Sequence, residues 1–308
     1  MGGTHKYIAE FPCPPCPPCE PANFAIMRAM PYVKRTGKPT LHYCVDDFTD
    51  PWTNAGTIVL QHGYARSSLF WYGWVPHLAR FYRVVRPDLR GHGESPVDFK
   101  PGTESTLDGY VEDVLAVLDE LELDAVHYCG ESFGGVIGMV LAAEHPARVR
   151  TLSMISSPVY QNERSQKAYA AGFPTREEAL RTLGTMKWAE AIYGAPDFFP
   201  EGTDPELRRW YVNEIGKSDA EVLCGLNGLL RHANVQEYLP RIRAPVLSLY
   251  PTAGMLTSSE QESLLAAGIR KLRLIHMPTQ SHAVLTLFPG DCAGHVLNFV
   301  VQQDGRTA

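Results

Sequence analysis

The chain has 308 residues, of which 44% are hydrophobic, and a formal net charge of −6 with a pI near 6.0. That length holds one large α/β domain with an insertion, or two ordinary domains. The acidic balance and the absence of any Lys/Arg run argue against a nucleic-acid partner, and no stretch approaches the ~18 consecutive apolar residues of a membrane span.

In chain order, residues 1–30 read as a Pro/Cys-rich tail built around "CPPCPPC" (Cys13, Cys16, Cys19). Two-residue cysteine spacing invites a metal reading, but three thiolates without a nearby fourth ligand make a poor tetrahedral site. A polyproline-like segment, dispensable for folding, is the better reading, and no metal or other cofactor is expected. The segment lacks the apolar core of a signal peptide. The other four of seven cysteines are scattered among apolar neighbours, as free thiols in a reducing compartment would be. The expectation is a soluble, cytoplasmic protein, with a homodimer kept open.

From Leu41 the pattern becomes regular. "TIVLQHG" is a buried strand ending in Gly63, and "SSLFWYGWVPHLARF" reads as a helix. "YRVVRPDLRGHG" is strand then loop. "LDGYVEDVLAVLDELEL" carries Val111, Val114, Leu115, Leu118 and Leu121 at helical spacing, with acids on the other face. "AVHYCG" is a strand, "GGVIGMVLAAEHP" a helix stopped by Pro146, and "VRTLSMISS" a strand. "PVLSLY", "LRLIHM" and a last helix "CAGHVLNFVVQQ" follow. Alternation of strands and helices predicts an α/β fold with a doubly wound, mostly parallel sheet covered on both faces. Residues 159–238 break the rhythm with helix after helix and read as a helical cap inserted into a core of 31–158 and 239–308.

Three places carry chemistry. Gly130-Glu131-Ser132-Phe133-Gly134 matches G-x-S-x-G, between a strand and a helix, where a sharp turn raises a serine nucleophile. The plainer alternative is an ordinary glycine-rich turn. His62-Gly63 ends the first strong strand. The loop after it would supply the Tyr64 N–H to an oxyanion hole, and Phe133 the second N–H, while His62 itself bonds loop backbone. His282, in "MPTQSHAVL", lies past the last strand and late in chain order, which separates it from the other ten histidines as general base. His92 shapes a turn and His145 ends a helix.

"HGYARSS", "VVRPDLRGHGES", "CGESFGG" and "SHAVL" in this order resemble the α/β-hydrolase fold superfamily, over about residues 31–300. Within it, the core is similar to 3-oxoadipate enol-lactonase-like ester and lactone hydrolases. The resemblance implies a Ser–His–acid triad, a helical cap over the site, and hydrolysis without a cofactor. The family's acid follows the strand "PVLSLY", where Gly254 stands here; the alternative place, after "VRTLSMI", holds Ser156 and Ser157. Both are empty of carboxylate. An acid could reach in from Glu260, Asp291 or Glu163, a hydroxyl such as Ser156 or a water could orient His282, or the site could be a poor catalyst. Asp88 belongs to a core loop, and Glu131 is set aside because successive side chains on a strand diverge. An Asp at Gly254 should raise turnover if the loop geometry survives.

Aromatic residues on the cap and near His62 usually form core; if a subset lines the cleft, the substrate is bulky and largely apolar. Trp71, Trp188 and Tyr160 are the pocket candidates. Arg66 could receive a carboxylate there, against the plainer reading of a solvated arginine. The expected activity is cleavage of a small-molecule carboxylic ester or lactone through an acyl-enzyme on Ser132. The alternatives are a carbon–carbon bond hydrolase of the meta-cleavage type and a catalytically weak ligand-binding module.

Overall fold

The computed structural model describes residues 31–254 and 256–305. The cysteine-proline segment and the expectation that the tail is dispensable lie outside the described residues.

The strands are β1 (Tyr32–Val33), β2 (Leu41–Asp46), β3 (Thr57–Gln61), β4 (Arg83–Pro87), β5 (Val126–Glu131), β6 (Val149–Ile155), β7 (Val246–Pro251) and β8 (Leu272–Met277). They form one sheet in the order β1-β2-β4-β3-β5-β6-β7-β8. β1 and β2 pair antiparallel with their neighbours. The six strands from β4 to β8 pair in parallel. Every residue of β3, β5 and β7 is buried. That is why β3 and β7 read as largely apolar runs, since helices on both sides leave neither face to water. The edge strand β8 instead exposes Arg273 and His276, charges that discourage pairing with another sheet edge.

The helix Leu107–Glu120 is capped by Thr106, whose side chain accepts from the Gly109 N–H, and buries Tyr110, Val111, Val114, Val117 and Leu118. Its buried Asp113 is held by Arg35 and Arg90. The helix Phe133–Glu144 is apolar all round and buried along nearly its whole length, as expected of an element packed between sheet and further helices. Gly130 permits its close approach: a Cβ there would stand 2.5 Å from the Gly135 nitrogen.

Two readings need correction. The helix expected over Ser67–Phe81 is two short turns, Ser68–Trp71 and Val75–Leu78, because Gly73 weakens the run between them and Pro76, in the first turn of the second, has no N–H to continue the first. The helix Ser259–Gly268, capped by Ser258, was not anticipated; its "SEQES" start carries no apolar stripe.

Between β6 and β7 lie the helices Glu163–Ala168, Arg176–Leu183, Thr185–Tyr193, Pro205–Gly216 and Ala220–Leu230. The neck of this insertion is drawn together by an antiparallel bridge between Tyr160 and Asn234 and by the Val235 N–H donating to Val159 O at 3.0 Å. Its interior is aromatic: Tyr193, Phe198, Phe199 and Tyr211 contact one another at ring separations of 4.9–5.8 Å.

The parallel strands all end at one edge of the sheet. The residues that follow them there are His62 after β3, Ser132 after β5, Ser156 after β6, Gly254 after β7 and His282 after β8. Ligands of such sheets bind at this carboxyl edge.

Candidate active site

β5 runs into its helix with no loop, and the turn is made at Ser132, whose φ is 50° and ψ −116°. A non-glycine residue with positive φ is held there only by its surroundings. The Ser132 N–H is tied to Ile155 O at 2.9 Å, and its carbonyl accepts from the Gly135 N–H at 3.0 Å. The turn lifts the hydroxyl out of the strand, and Ser132 Oγ lies 3.1 Å from His282 Nε2. His282 is carried by the loop between β8 and the turn Val284–Leu287. Its side chain is 11% exposed. Burial and the nearby Arg66 cation push its pKa down to about 3, so the imidazole is neutral at ordinary pH.

Among the described residues, neither the Tyr64 nor the Phe133 backbone N–H has a protein acceptor. Both residues line the cavity that holds Ser132 and His282. His62 is buried, with Nδ1 2.9 Å from Gly63 O and Nε2 accepting from the Leu89 N–H at 3.0 Å. It fixes loop backbone, as does Asp88, which accepts from the N–H groups of Ser68 and Glu94 and pairs with His42.

The carboxylate at the site is Glu131, the one set aside from sequence. Its Oε1 lies 3.5 Å from His282 Nε2 and 3.6 Å from an Arg66 nitrogen, and its Oε2 accepts from the Gly63 N–H at 3.1 Å. Glu131 is fully buried. Burial raises its pKa to about 6, against the pull of Arg66 and the Gly63 N–H. The divergence expected of neighbouring side chains holds for extended backbone; the positive φ at Ser132 turns its side chain back toward the same imidazole.

Glu260, Asp291 and Glu163 are all exposed. Ser156 is fully buried, yet its hydroxyl has no partner among the described residues. Among the described residues none hydrogen-bonds His282 Nδ1. A second cavity, lined by Ala253, Gly254 and Ser281, opens beside His282. Gly254 has no positive φ, but a Cβ there would stand 2.6 Å from Pro251 Cγ and also strike Thr257 Oγ1.

Of the pocket candidates, Tyr160 and Arg66 line the cavity. Trp71 and Trp188 do not. Both are fully buried, Trp71 against Trp74 at 4.9 Å between rings and Trp188 behind Tyr64 at 6.2 Å. Arg66 is not solvated: it is 3% exposed and donates to Tyr64 O and the Tyr211 hydroxyl. A second buried arginine, Arg176, also lines the cavity. The sequence showed it only as one charge at the start of a cap helix. Its one signal was its place at the first position after the capping Thr175, where a cation opposes the helix dipole.

The alpha/beta hydrolase fold profile matches residues 56–283. The chain is 29% identical over 248 residues to a pimeloyl-[acyl-carrier protein] methyl ester esterase of Aeromonas hydrophila, covering 79% of this chain and 94% of that protein. It is 28% identical over 208 residues to 3-oxoadipate enol-lactonase 1 of Acinetobacter baylyi, covering 67% and 74%. The crystal structure of the enol-lactonase from Burkholderia xenovorans superposes with a TM-score of 0.76 at 25% identity, covering 88% and 99%. With the parallel sheet, the turn at Ser132 and the histidine after β8 already in place, these likenesses show that the chain belongs to the α/β hydrolase fold family.

Proposed function

We propose that the protein is a serine hydrolase that cleaves a carboxylic ester or lactone through an acyl-enzyme on Ser132. The observation that carries this reading is the strained Ser132, its Oγ 3.1 Å from the neutral His282 Nε2. The similarity to an ester hydrolase and to lactonases supports the substrate class.

Ser132 Oγ attacks the carbonyl carbon as His282 Nε2 takes its proton. The negative charge that develops on the carbonyl oxygen is met by the N–H groups of Tyr64 and Phe133, which have no acceptor among the described residues. His282 returns the proton to the departing alcohol, which stays tethered if the substrate is a lactone. Water, deprotonated by the same nitrogen, then releases the acyl group. The insertion of residues 159–238 acts as a cap, with Tyr160, Tyr169 and Tyr193 closing the cavity over Ser132.

Losing the acid's function in a serine triad costs roughly 10⁴-fold in turnover. Here Glu131 takes part of that role. Its charge lies 3.5 Å from the nitrogen that becomes protonated, and it neutralises Arg66, which otherwise opposes the imidazolium. The support is indirect, because among the described residues Nδ1 has no carboxylate to fix the tautomer. The protein therefore favours activated aryl esters or strained lactones over simple alkyl esters.

Labelling with a fluorophosphonate followed by peptide mass spectrometry tests the reading. The adduct should sit on Ser132 and be absent from Ser132→Ala. No adduct in the wild type would instead favour the ligand-binding module that the bare Gly254 position suggests.

A further inference from the structure

We infer that the cavity at the bare acid position receives the alcohol half of the substrate, so that the ester joins a small acyl group to a bulky, mainly apolar alcohol. This deepens the hydrolase reading and rests on it.

The cavity that holds Ser132 is small, about 40 Å³, where pockets for drug-sized ligands measure roughly 300–1,000 Å³. Its walls are pinned from behind. The Tyr64 hydroxyl donates to Leu223 O at 3.0 Å. The N–H groups of Val159 and Tyr160 donate to Oε1 of the fully buried Gln261 at 2.7 and 3.3 Å. The Trp188 indole N–H donates to Tyr169 O at 2.9 Å, and the Phe133 ring packs edge-on against Tyr110 at 5.0 Å between centroids. Walls packed and tied in this way give little when a larger group is forced in.

The cavity beyond His282 measures about 460 Å³. Its lining includes Ala168, Ala191, Ala195, Ala253 and Gly254, small side chains that leave the space open. An aspartate at 254, where the family's acid is expected, would take part of that space. Tyr169, Leu256 and His282 line both cavities and form the wall between them. Tyr169 and Leu256 are buried, whereas Arg164 and Asp197 on the same lining are exposed. One end of the cavity is therefore apolar and the other meets water. A cleft of about 790 Å³ beside the helix Ala220–Leu230 shares Ala233 with the small cavity, but neither Ser132 nor His282 lines it.

The reaction assigns the two halves of the ester. Ser132 Oγ bonds the acyl carbon, which stays in the small cavity with its oxygen at the Tyr64 and Phe133 N–H groups. The bond from that carbon to the alcohol oxygen breaks, and this oxygen takes the proton held on His282 Nε2, so the alcohol departs alongside the imidazole. The residue that delivers the proton is also a wall of the larger cavity. Water then releases the acyl group as a short carboxylic acid. The bulk anticipated for the substrate thus falls on its alcohol, in space that loss of the family's acid leaves open.

Steady-state kinetics with two series of esters test this. Across p-nitrophenyl acetate, butyrate and hexanoate, wild-type kcat/KM should fall at least 100-fold from acetate to hexanoate. Between phenyl and 2-naphthyl acetate, whose leaving groups are similar in acidity, the naphthyl ester should be cleaved at least fivefold faster. Ala195→Trp, which fills the larger cavity, should abolish the naphthyl preference and keep the acyl one. A flat or rising acyl series, a wild type without the naphthyl preference, or an unchanged naphthyl preference in folded Ala195→Trp would each overturn the inference. Ala191→Trp serves if Ala195→Trp does not fold, and the wild-type series decide alone if neither does. Fluorophosphonate labelling of the same preparation separates the two readings. Labelled Ser132 without these preferences overturns the alcohol site and leaves the hydrolase. Absence of both labelling and ester cleavage overturns the hydrolase reading, and the inference with it.

Discussion

The turns after β5 and β7 leave the same edge of the sheet, two strands apart, and differ in almost every respect. The first packs an acid, a hydroxyl on a positive-φ residue and a helix start into consecutive positions. The second, where the family's acid is expected, offers Gly254 and a cavity. The difference teaches that the carboxylate beside His282 comes from within β5, next to Ser132, and lies 3.5 Å from Nε2. It also ties that charge to a cation, since Glu131 is as close to Arg66 as to the imidazole.

The sharpest way to break this comparison is to remove the hydroxyl. Ser132→Ala should lower hydrolysis of p-nitrophenyl acetate by at least about 10³-fold with the melting curve preserved. Unchanged turnover in the purified variant would take Ser132 out of the mechanism.

Removing the charge comes next. Glu131→Gln leaves Arg66 buried and unpaired beside His282, so kcat should fall about 10²-fold. Stability measured in urea should drop by about 3 kcal/mol, as for breaking a buried ion pair. A variant with wild-type kcat and stability would show that the acid only fills space.

Filling the bare position is expected to do harm. Gly254→Asp meets Pro251 and Thr257 before its carboxylate can reach His282, and overpacking of this kind costs about 1–3 kcal/mol. We expect a melting temperature lower by several degrees and no gain in kcat. A clear gain would show that the loop adapts and that the position retains its ancestral geometry. The smallest effects belong to Glu260→Gln, Asp291→Asn and Glu163→Gln. All three residues are exposed, and each variant should keep kcat within about threefold. A fall near 10³-fold in any of them would identify a recruited acid.

The strand–helix alternation, the turn at Ser132 and the place of His282 were legible because each rests on a local pattern with one physical cause: burial on both faces, strain between glycines, and position at a strand end. Glu131 was not, because strand alternation was extended one residue too far, across a backbone that reverses at Ser132. The burial of Arg66, and the place of Arg176 on the cavity, were not, because an arginine is exposed far more often than buried, and nothing in the local sequence marks the exception. Trp71 and Trp188 look like pocket residues in composition, yet pack one layer behind it.

The central claim is that Glu131 is the carboxylate that supports His282, and the pH dependence of kcat/KM tests it most directly. His282 stays neutral down to about pH 3, so it contributes no loss of activity between pH 7 and 5. Glu131 takes up its proton near pH 6 and in doing so leaves Arg66 uncompensated. Wild-type kcat/KM for an aryl ester should therefore fall as pH drops through about 6. Glu131→Gln should be slower throughout and flat across that range. An acid limb near pH 6 that persists unchanged in Glu131→Gln would contradict the account and return the titration to His282 or to an acid elsewhere.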